Sequence, residues 1–427
     1  MRRLAPVLLA VALLTACGGD DERAAREAAT AERPRSLPQS CSVVHRGAEP
    51  PSVLIVSTLP LQGPYVRDGV QGTTAIRMVL EERGYRAGDR AVGYVSCDEW
   101  AARPEDAPEK CAAGAAAYAG TRDVVGVIGP FFSSCAIVQL PILNRAAGGP
   151  LAAIGPGNTY VGLTRPGAGV PGDEPERFRP TGRPGFVRLA APDDVQGQAH
   201  ARQAVERGLA RAYVLTDGVD AYSAGTAAGF RDAARQLGLA VVGEEKWDAE
   251  ATGYAALARR VERSRADAVF FGGYLFSNGG RLLRDLRERL GPAVQFMAPE
   301  AFLPIEALAR RAGAAAEGMA ISLSSVANER LEGPGKAFLE RFRDRLDQDP
   351  CCYTVHAAQA AHALLDAIAA SDGTRASVTA RLLDLRVRDG IIGSFAFDKN
   401  GDITPGLVTM YRVEEGELQF VEAVSGS

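Results

Sequence analysis

The sequence predicts an α/β protein built as two doubly wound lobes with a cleft between them. Three observations predict it. From Ser52 onward, short apolar runs bounded by Gly, Pro or polar residues alternate with amphipathic helical stripes. Such alternation implies βαβ units around mostly parallel sheets. The pattern runs twice, with a break dense in Pro and Gly over residues 165–185. The chain, at 427 residues, is long enough for two domains of ordinary size.

Taken in order, the expected strands are residues 53–59, 124–128 and 151–154 in the first half, then 212–216, 268–272, 294–298 and 319–323 in the second. Each is a short apolar run of the kind buried on both faces of a sheet. Between them, Ile76, Val79, Leu80 and Arg83 fall at helical spacing. Leu282, Leu283, Leu286 and Leu290 do the same ahead of Gly291-Pro292, a helix stop. Residues 165–185 should form an irregular surface loop just before the chain crosses to the second sheet. Near the end, residues 391–398 and 407–413 flank Lys399-Asn400-Gly401-Asp402, which reads as a hairpin around Asn-Gly. In doubly wound sheets the crevice lies outside the carboxyl ends of the strands.

The N-terminus sets the compartment. Arg2 and Arg3 precede an apolar run over residues 4–14, interrupted only by Pro6, and then Leu14-Thr15-Ala16-Cys17. This is an export signal, too short to span a bilayer as a mature helix, and it resembles the bacterial lipobox. It predicts a leader over 1–16, acylation of Cys17, and a solvated tether over 17–51, because residues 18–39 are charged and rich in Ala and Pro without apolar periodicity. The body is then held by lipid at the outer face of the bacterial cell membrane. Net charge is −4 with no basic cluster, so nucleic acid is not an expected partner. Six cysteines remain besides Cys17: Cys41, Cys97, Cys111, Cys135, Cys351 and Cys352. An even number in an exported chain predicts disulfides, with pairing left open. No Cys-x-x-Cys spacing occurs and the histidines sit apart, so no metal or cofactor is expected.

The strand ends locate the ligand. After 124–128 comes Gly129-Pro130-Phe131-Phe132-Ser133-Ser134, and after 151–154 comes Gly155-Pro156-Gly157-Asn158-Thr159-Tyr160. Hydroxyls and helix-start N–H groups suit a carboxylate. Either turn alone reads as a helix cap; two at consecutive strand ends point to an anion site. Asp217 and Tyr222, Tyr274 and Glu300 follow strands of the second half. A carboxylate facing a cleft with two tyrosines can pair an ammonium group. Together these groups describe a cleft for a zwitterion. No Gly-x-Ser-x-Gly elbow surrounds Ser133 and no base is placed to activate a thiolate at Cys351-Cys352, so no enzyme is expected.

At these residues the chain, from about Ser52 to Val421, resembles the type I periplasmic binding proteins that serve branched-chain amino-acid importers, the leucine/isoleucine/valine-binding family. The resemblance rests on Gly129-Pro130-x-x-Ser133, Pro156-Gly157-x-Thr159, Gly272-Gly273-Tyr274, Gln295-Phe296-Met297-Ala298-Pro299-Glu300 and Ile392-Gly393-x-Phe395-x-Phe397-Asp398-x-x-Gly401-Asp402, all in family order. It implies two Rossmann-like lobes joined by three hinge crossovers, with 52–188 and 327–400 in one lobe and 189–326 and 401–427 in the other. It further implies that Ser133 and the backbone N–H of Thr159 hold a ligand carboxylate, with Ser134 in the same turn. The carbonyl of Gly157, the hydroxyl of Thr159 and Glu300 would hold its ammonium, while Tyr222 and Tyr274 close over it. The implied ligand is a small amino-acid-like molecule and the implied partner an ABC importer permease; the same fold also serves sensors that hand occupancy to a separate signalling partner. One departure stands out. Asp68 aligns where family members commonly carry an aromatic residue, with Tyr65 nearby, and two readings of a carboxylate there stand open: it selects a ligand with a second cationic or polar group, or it faces solvent.

Overall fold

The computed structural model of the protein describes residues 29–102 and 106–426. The expected leader, Cys17 and the start of the tether lie outside the described residues. Two sheets form the two lobes. In the first, the strands run β1 (Ala29–Ala31), β2 (Val44–Arg46), β3 (Val53–Leu59), β4 (Arg86–Ala87), β5 (Arg90–Asp98), β6 (Val124–Ile128), β7 (Ala152–Gly155) and β8 (Phe186–Arg188). The spatial order is β1-β2-β5-β3-β6-β7-β8, with β4 on the side of β5. The second holds β9 (Arg211–Thr216), β10 (Ala240–Lys246), β11 (Ala268–Gly272), β12 (Gln295–Ala298) and β13 (Ala320–Leu323). After these come β14 (Arg386–Gly390), β15 (Gly393–Phe397), β16 (Ile403–Thr404), β17 (Leu407–Glu414) and β18 (Glu417–Ser425). The second sheet reads β10-β9-β11-β12-β13-β17-β18, and β14-β15-β16 form a small third sheet.

Both large sheets repeat one plan. Within β5-β3-β6-β7-β8 and within β10-β9-β11-β12-β13 every neighbouring pair is parallel. In each, the first strand lies between the second and the third, which creates a switch point where consecutive crossovers leave in opposite directions. The strands of this central region are apolar because helices cover both faces: every residue of β3, β6, β11 and β12 is buried. The expected stripes form the helices Val66–Glu82 and Gly280–Leu290, the second ending at Gly291 with φ +73°. The largest apolar cluster lies in the first lobe, where Ile76, Val79 and Leu80 meet Phe338, Leu364 and Ile368 from near the C-terminal end of the chain. The chain thus crosses between lobes after β8, returns after β13, and crosses a third time between β16 and β17.

Two sequence expectations are corrected here. From Ala29 the chain is not a free tether. β1 and β2 extend the first sheet antiparallel to one another and to β5, Leu37 is buried, and Cys41 is disulfide-bonded to Cys97 in β5. Main-chain pairing and a covalent bond hold a stretch with no apolar periodicity, so its composition did not announce it. The turn around Asn400-Gly401 does join antiparallel strands, but the partner of β15 is β16, not 407–413. The strand 407–413 lies in β17, which crosses to the second sheet, pairs with β13 and forms its own hairpin with β18. The Asn-Gly signal locates a turn without saying which later strand returns.

The loop over 165–185 carries one short helical turn, Glu176–Phe178, and is pinned from beneath. Tyr160 donates its hydroxyl to the buried Glu174 at 2.7 Å, and Phe178 is buried. Arg165 forms a bidentate pair with Asp194 and also reaches Asp402, so it ties the loop to the crossing region.

Candidate functional site

Both halves of the site sit where their sheets switch direction. The segments after β3, β6 and β7 bring Tyr65, Ser133 and Gly157, and those after β9, β11 and β12 bring Tyr222, Tyr274 and Glu300. All six line one cavity between the lobes. Asp68 lines it from the first turn of the helix Val66–Glu82. Of the residues singled out from sequence, Ser134 is half-buried and does not line the cavity, while Thr159 is fully buried behind Gly157. Gly157 has to be small: a Cβ there would come within 2.9 Å of the Tyr353 ring.

Aromatic rings from both lobes meet across the opening. Tyr65 of the first lobe makes edge contacts with Phe276 at 5.3 Å and Tyr274 at 6.3 Å, both from the second. It also packs on Phe132 at 5.3 Å. Tyr222 lies 5.2 Å from Tyr274, and Phe131 faces Tyr353 at 6.0 Å. An ion pair between Arg67 and Glu306, 3.2 Å apart, spans the lobes outside the rings. The lobes are therefore closed on one another. Among the described residues lining the cavity there is no Lys, Arg or His.

The polar groups inside are short of partners. Glu300 is 8% exposed, and its Oε1 lies 3.5 Å from the Tyr222 hydroxyl. Its Oε2, the hydroxyls of Tyr65 and Tyr353, and the Thr159 hydroxyl make no hydrogen bond of ordinary geometry among the described residues, although Tyr353 and Gln196 stand near enough to Glu300, and Thr159 to Asp193, to lower those carboxyls. Buried polar atoms are otherwise almost always paired, so such a cluster marks groups positioned for something the chain does not itself supply. Burial lifts the Glu300 carboxyl to about 7 and the Asp68 carboxyl to about 6. Asp193, buried behind Thr159, is pushed well above the usual range by burial and then by Glu300. The site is held open-jawed electrically: it favours positive charge.

The first-lobe turn is anchored just ahead of the helix that starts at Ser133. Glu99 Oε1 accepts the amides of Phe131 and Phe132, both at 3.0 Å, so those two donors are already used. Ser133, next in the chain, keeps a hydroxyl that takes only a long 3.4 Å bond from the amide of Tyr160. On the second lobe, Asp217 accepts the Tyr274 amide and Asp220 accepts its hydroxyl, both at 2.9 Å, which fixes that ring.

Sequence reasoning passed over several lining residues. Tyr65, Phe131 and Phe132 follow strand ends and fall under the same rule that found Ser133. Tyr353 and Cys352 arrive from a segment nearly two hundred residues beyond Gly157, with no periodicity to betray them. The cysteine expectation is met in part: Cys41 pairs with Cys97 and Cys111 with Cys135, whereas Cys351 and Cys352 are free thiols. The Cys351 amide is held by Gln71 of the helix Val66–Glu82.

A family model described as periplasmic binding protein matches residues 53–417. An amino acid binding protein of Pseudomonas aeruginosa is 26% identical over 291 residues, 68% of this chain and 72% of the relative. A leucine binding protein from Thermotoga maritima superposes with a TM-score of 0.74 at 23% identity, covering 87% of this chain and 98% of that one. A solute binding protein of an ABC transporter from R. palustris, in complex with 4-hydroxybenzoate, superposes with a TM-score of 0.71 at 19% identity over 87% and 96%.

Proposed function

The chain belongs to the periplasmic binding protein family, whose members bind solutes and carry out no catalysis, and from that premise we propose that it captures an amino acid outside the cytoplasm for an ABC importer. The observation that carries this reading is the opposition of Ser133 and Glu300 across one aromatic-walled cavity. A zwitterion leaves water only if both charges find partners. Ser133 and the Thr159 amide would take the carboxylate; the Gly157 carbonyl, the Thr159 hydroxyl and Glu300 would take the ammonium. Tyr65, Tyr222 and Tyr274 would then seal the guest. Because the ligand touches both lobes only when they meet, its binding favours the closed form, which the permease would recognise. Leader removal and acylation of Cys17 would keep the protein at the membrane surface; among the described residues no helix is long and apolar enough to cross a membrane.

A thermal-shift screen of the full chain against the amino acids and small carboxylates tests it, since a ligand specific for the native state raises the melting temperature by mass action. We expect at least one α-amino acid to do so, and Ser133→Ala to weaken that ligand by about 1–3 kcal/mol. A screen in which only compounds lacking an ammonium group bind would end this reading.

A further inference from the structure

The cavity holds more negative charge than a simple zwitterion can use. Glu300 is enough for one ammonium group, yet Asp68 lines the same space. Asp68 makes no ion pair among the described residues. The nearest cation, Arg67, does act on it electrostatically, but the Arg67 guanidinium is committed to Glu306 and to the carbonyl of Asp349, both at 3.2 Å. Tyr65 and Cys352 both feel Asp68 and Glu300, so the two carboxylates address one space. No cation lines that space among the described residues. An independent set of observations points to a guest: the Tyr65 hydroxyl is buried in the lining without a partner, and Glu300 Oε2 and the Tyr353 hydroxyl, though near one another, make no hydrogen bond of ordinary geometry among the described residues. The walls between carry the aromatic rings of Tyr65, Phe131, Phe132, Tyr222 and Tyr274, whose faces attract a desolvated cation.

We propose that the ligand is an α-amino acid with a positively charged side chain, its α-ammonium group at Glu300 and its second cation at Asp68. This rests on the amino-acid reading of the cleft. Each carboxylate of the wall then has a cation of its own, and the net charge of the filled cavity is that of the ligand carboxylate alone. One carboxylate meets the hydroxyl of Ser133, and two cations meet two carboxylates. A neutral aliphatic side chain would leave the half-buried Asp68 with no counter-charge, and a simple aromatic acid would bring a third negative group into a space that already holds two.

Isothermal titration of the full chain with L-arginine, L-lysine, L-ornithine, L-leucine and L-glutamate tests this, on the wild type and on Asp68→Asn. We expect at least one basic amino acid to bind more than about tenfold more tightly than leucine, and that ratio to collapse in Asp68→Asn. Circular dichroism melting of the variant establishes that it is folded, and Asp68→Glu should retain part of the preference. Leucine binding more tightly than all three basic amino acids, or an undiminished ratio in Asp68→Asn, overturns the assignment of the second cation while leaving the amino-acid reading intact. Failure of every α-amino acid to bind the wild type overturns both.

Discussion

Replacing Glu300 with glutamine should move stability and affinity in opposite directions. In the free protein the Glu300 carboxyl is buried, with one long contact to Tyr222 and with Gln196 and Tyr353 close by. Burial lifts it from 4.5 to about 7. At about 1.4 kcal/mol for each tenfold of proton affinity, that difference is worth about 3 kcal/mol. The folded chain holds this proton more tightly than the unfolded one. The contribution therefore favours the native state below about 4.5 and is lost as pH rises through about 7. Glutamine of the same shape carries no charge to bury. Relative to the wild type, ligand-free Glu300→Gln should gain up to about 3 kcal/mol on going from pH 4.5 to pH 8, read by urea unfolding at both. The ligand responds the other way. Removing one partner of a buried charge pair costs about 3–5 kcal/mol, more than a hundredfold in Kd at pH 8, read by calorimetry. A variant that loses stability at pH 8 relative to the wild type, or binds the wild-type ligand as before, refutes the reasoning.

Two further outcomes follow from charges and cross-links elsewhere. Arg188 is fully buried and its Nε meets Asp402 at 2.7 Å, so Asp402→Asn should cost about 3–5 kcal/mol at neutral pH in urea unfolding. Burial opposes ionisation of Asp402, yet Arg188 and Arg165 hold its carboxyl below the ordinary value of 3.8. This contribution is thus present above 3.8 and is lost as pH falls through the lowered folded value. The penalty of the variant should shrink in acid, and an equal penalty at pH 7 and pH 2 would count against the pairing. Reduction should lower the melting temperature, because bridges spanning 56 and 24 residues contribute about 2–4 kcal/mol each. The denatured, unreduced, acylated protein should titrate two free thiols, from Cys351 and Cys352; none would mean that those two are joined.

The parallel core was legible because a strand covered on both faces has to be apolar throughout, and a Gly or Pro marks where it stops. β3, β6 and β11 carry that signature. β5 and β18 do not: β5 mixes Arg90, Gly93 and Ser96 with its apolar residues, and β18 alternates exposed and half-buried positions at a sheet edge. The rule that ligands sit beyond strand ends drew attention to Ser133, Gly157 and Glu300, all of which line the cavity. It did not weigh Tyr65 against Asp68, since the turn after β3 presents both and only the helix Val66–Glu82 decides how they are placed. Tyr353 was invisible for a different reason. It reaches the cavity through tertiary packing of a helix from far along the chain, against a glycine whose smallness has no local explanation.

Glu99 carries the last consequence. By taking up the amides of Phe131 and Phe132, it fixes the bend behind the first wall from within the chain. Side chains on that wall can then be exchanged by single substitutions while the bend persists. A framework of this kind can change its preference without being rebuilt.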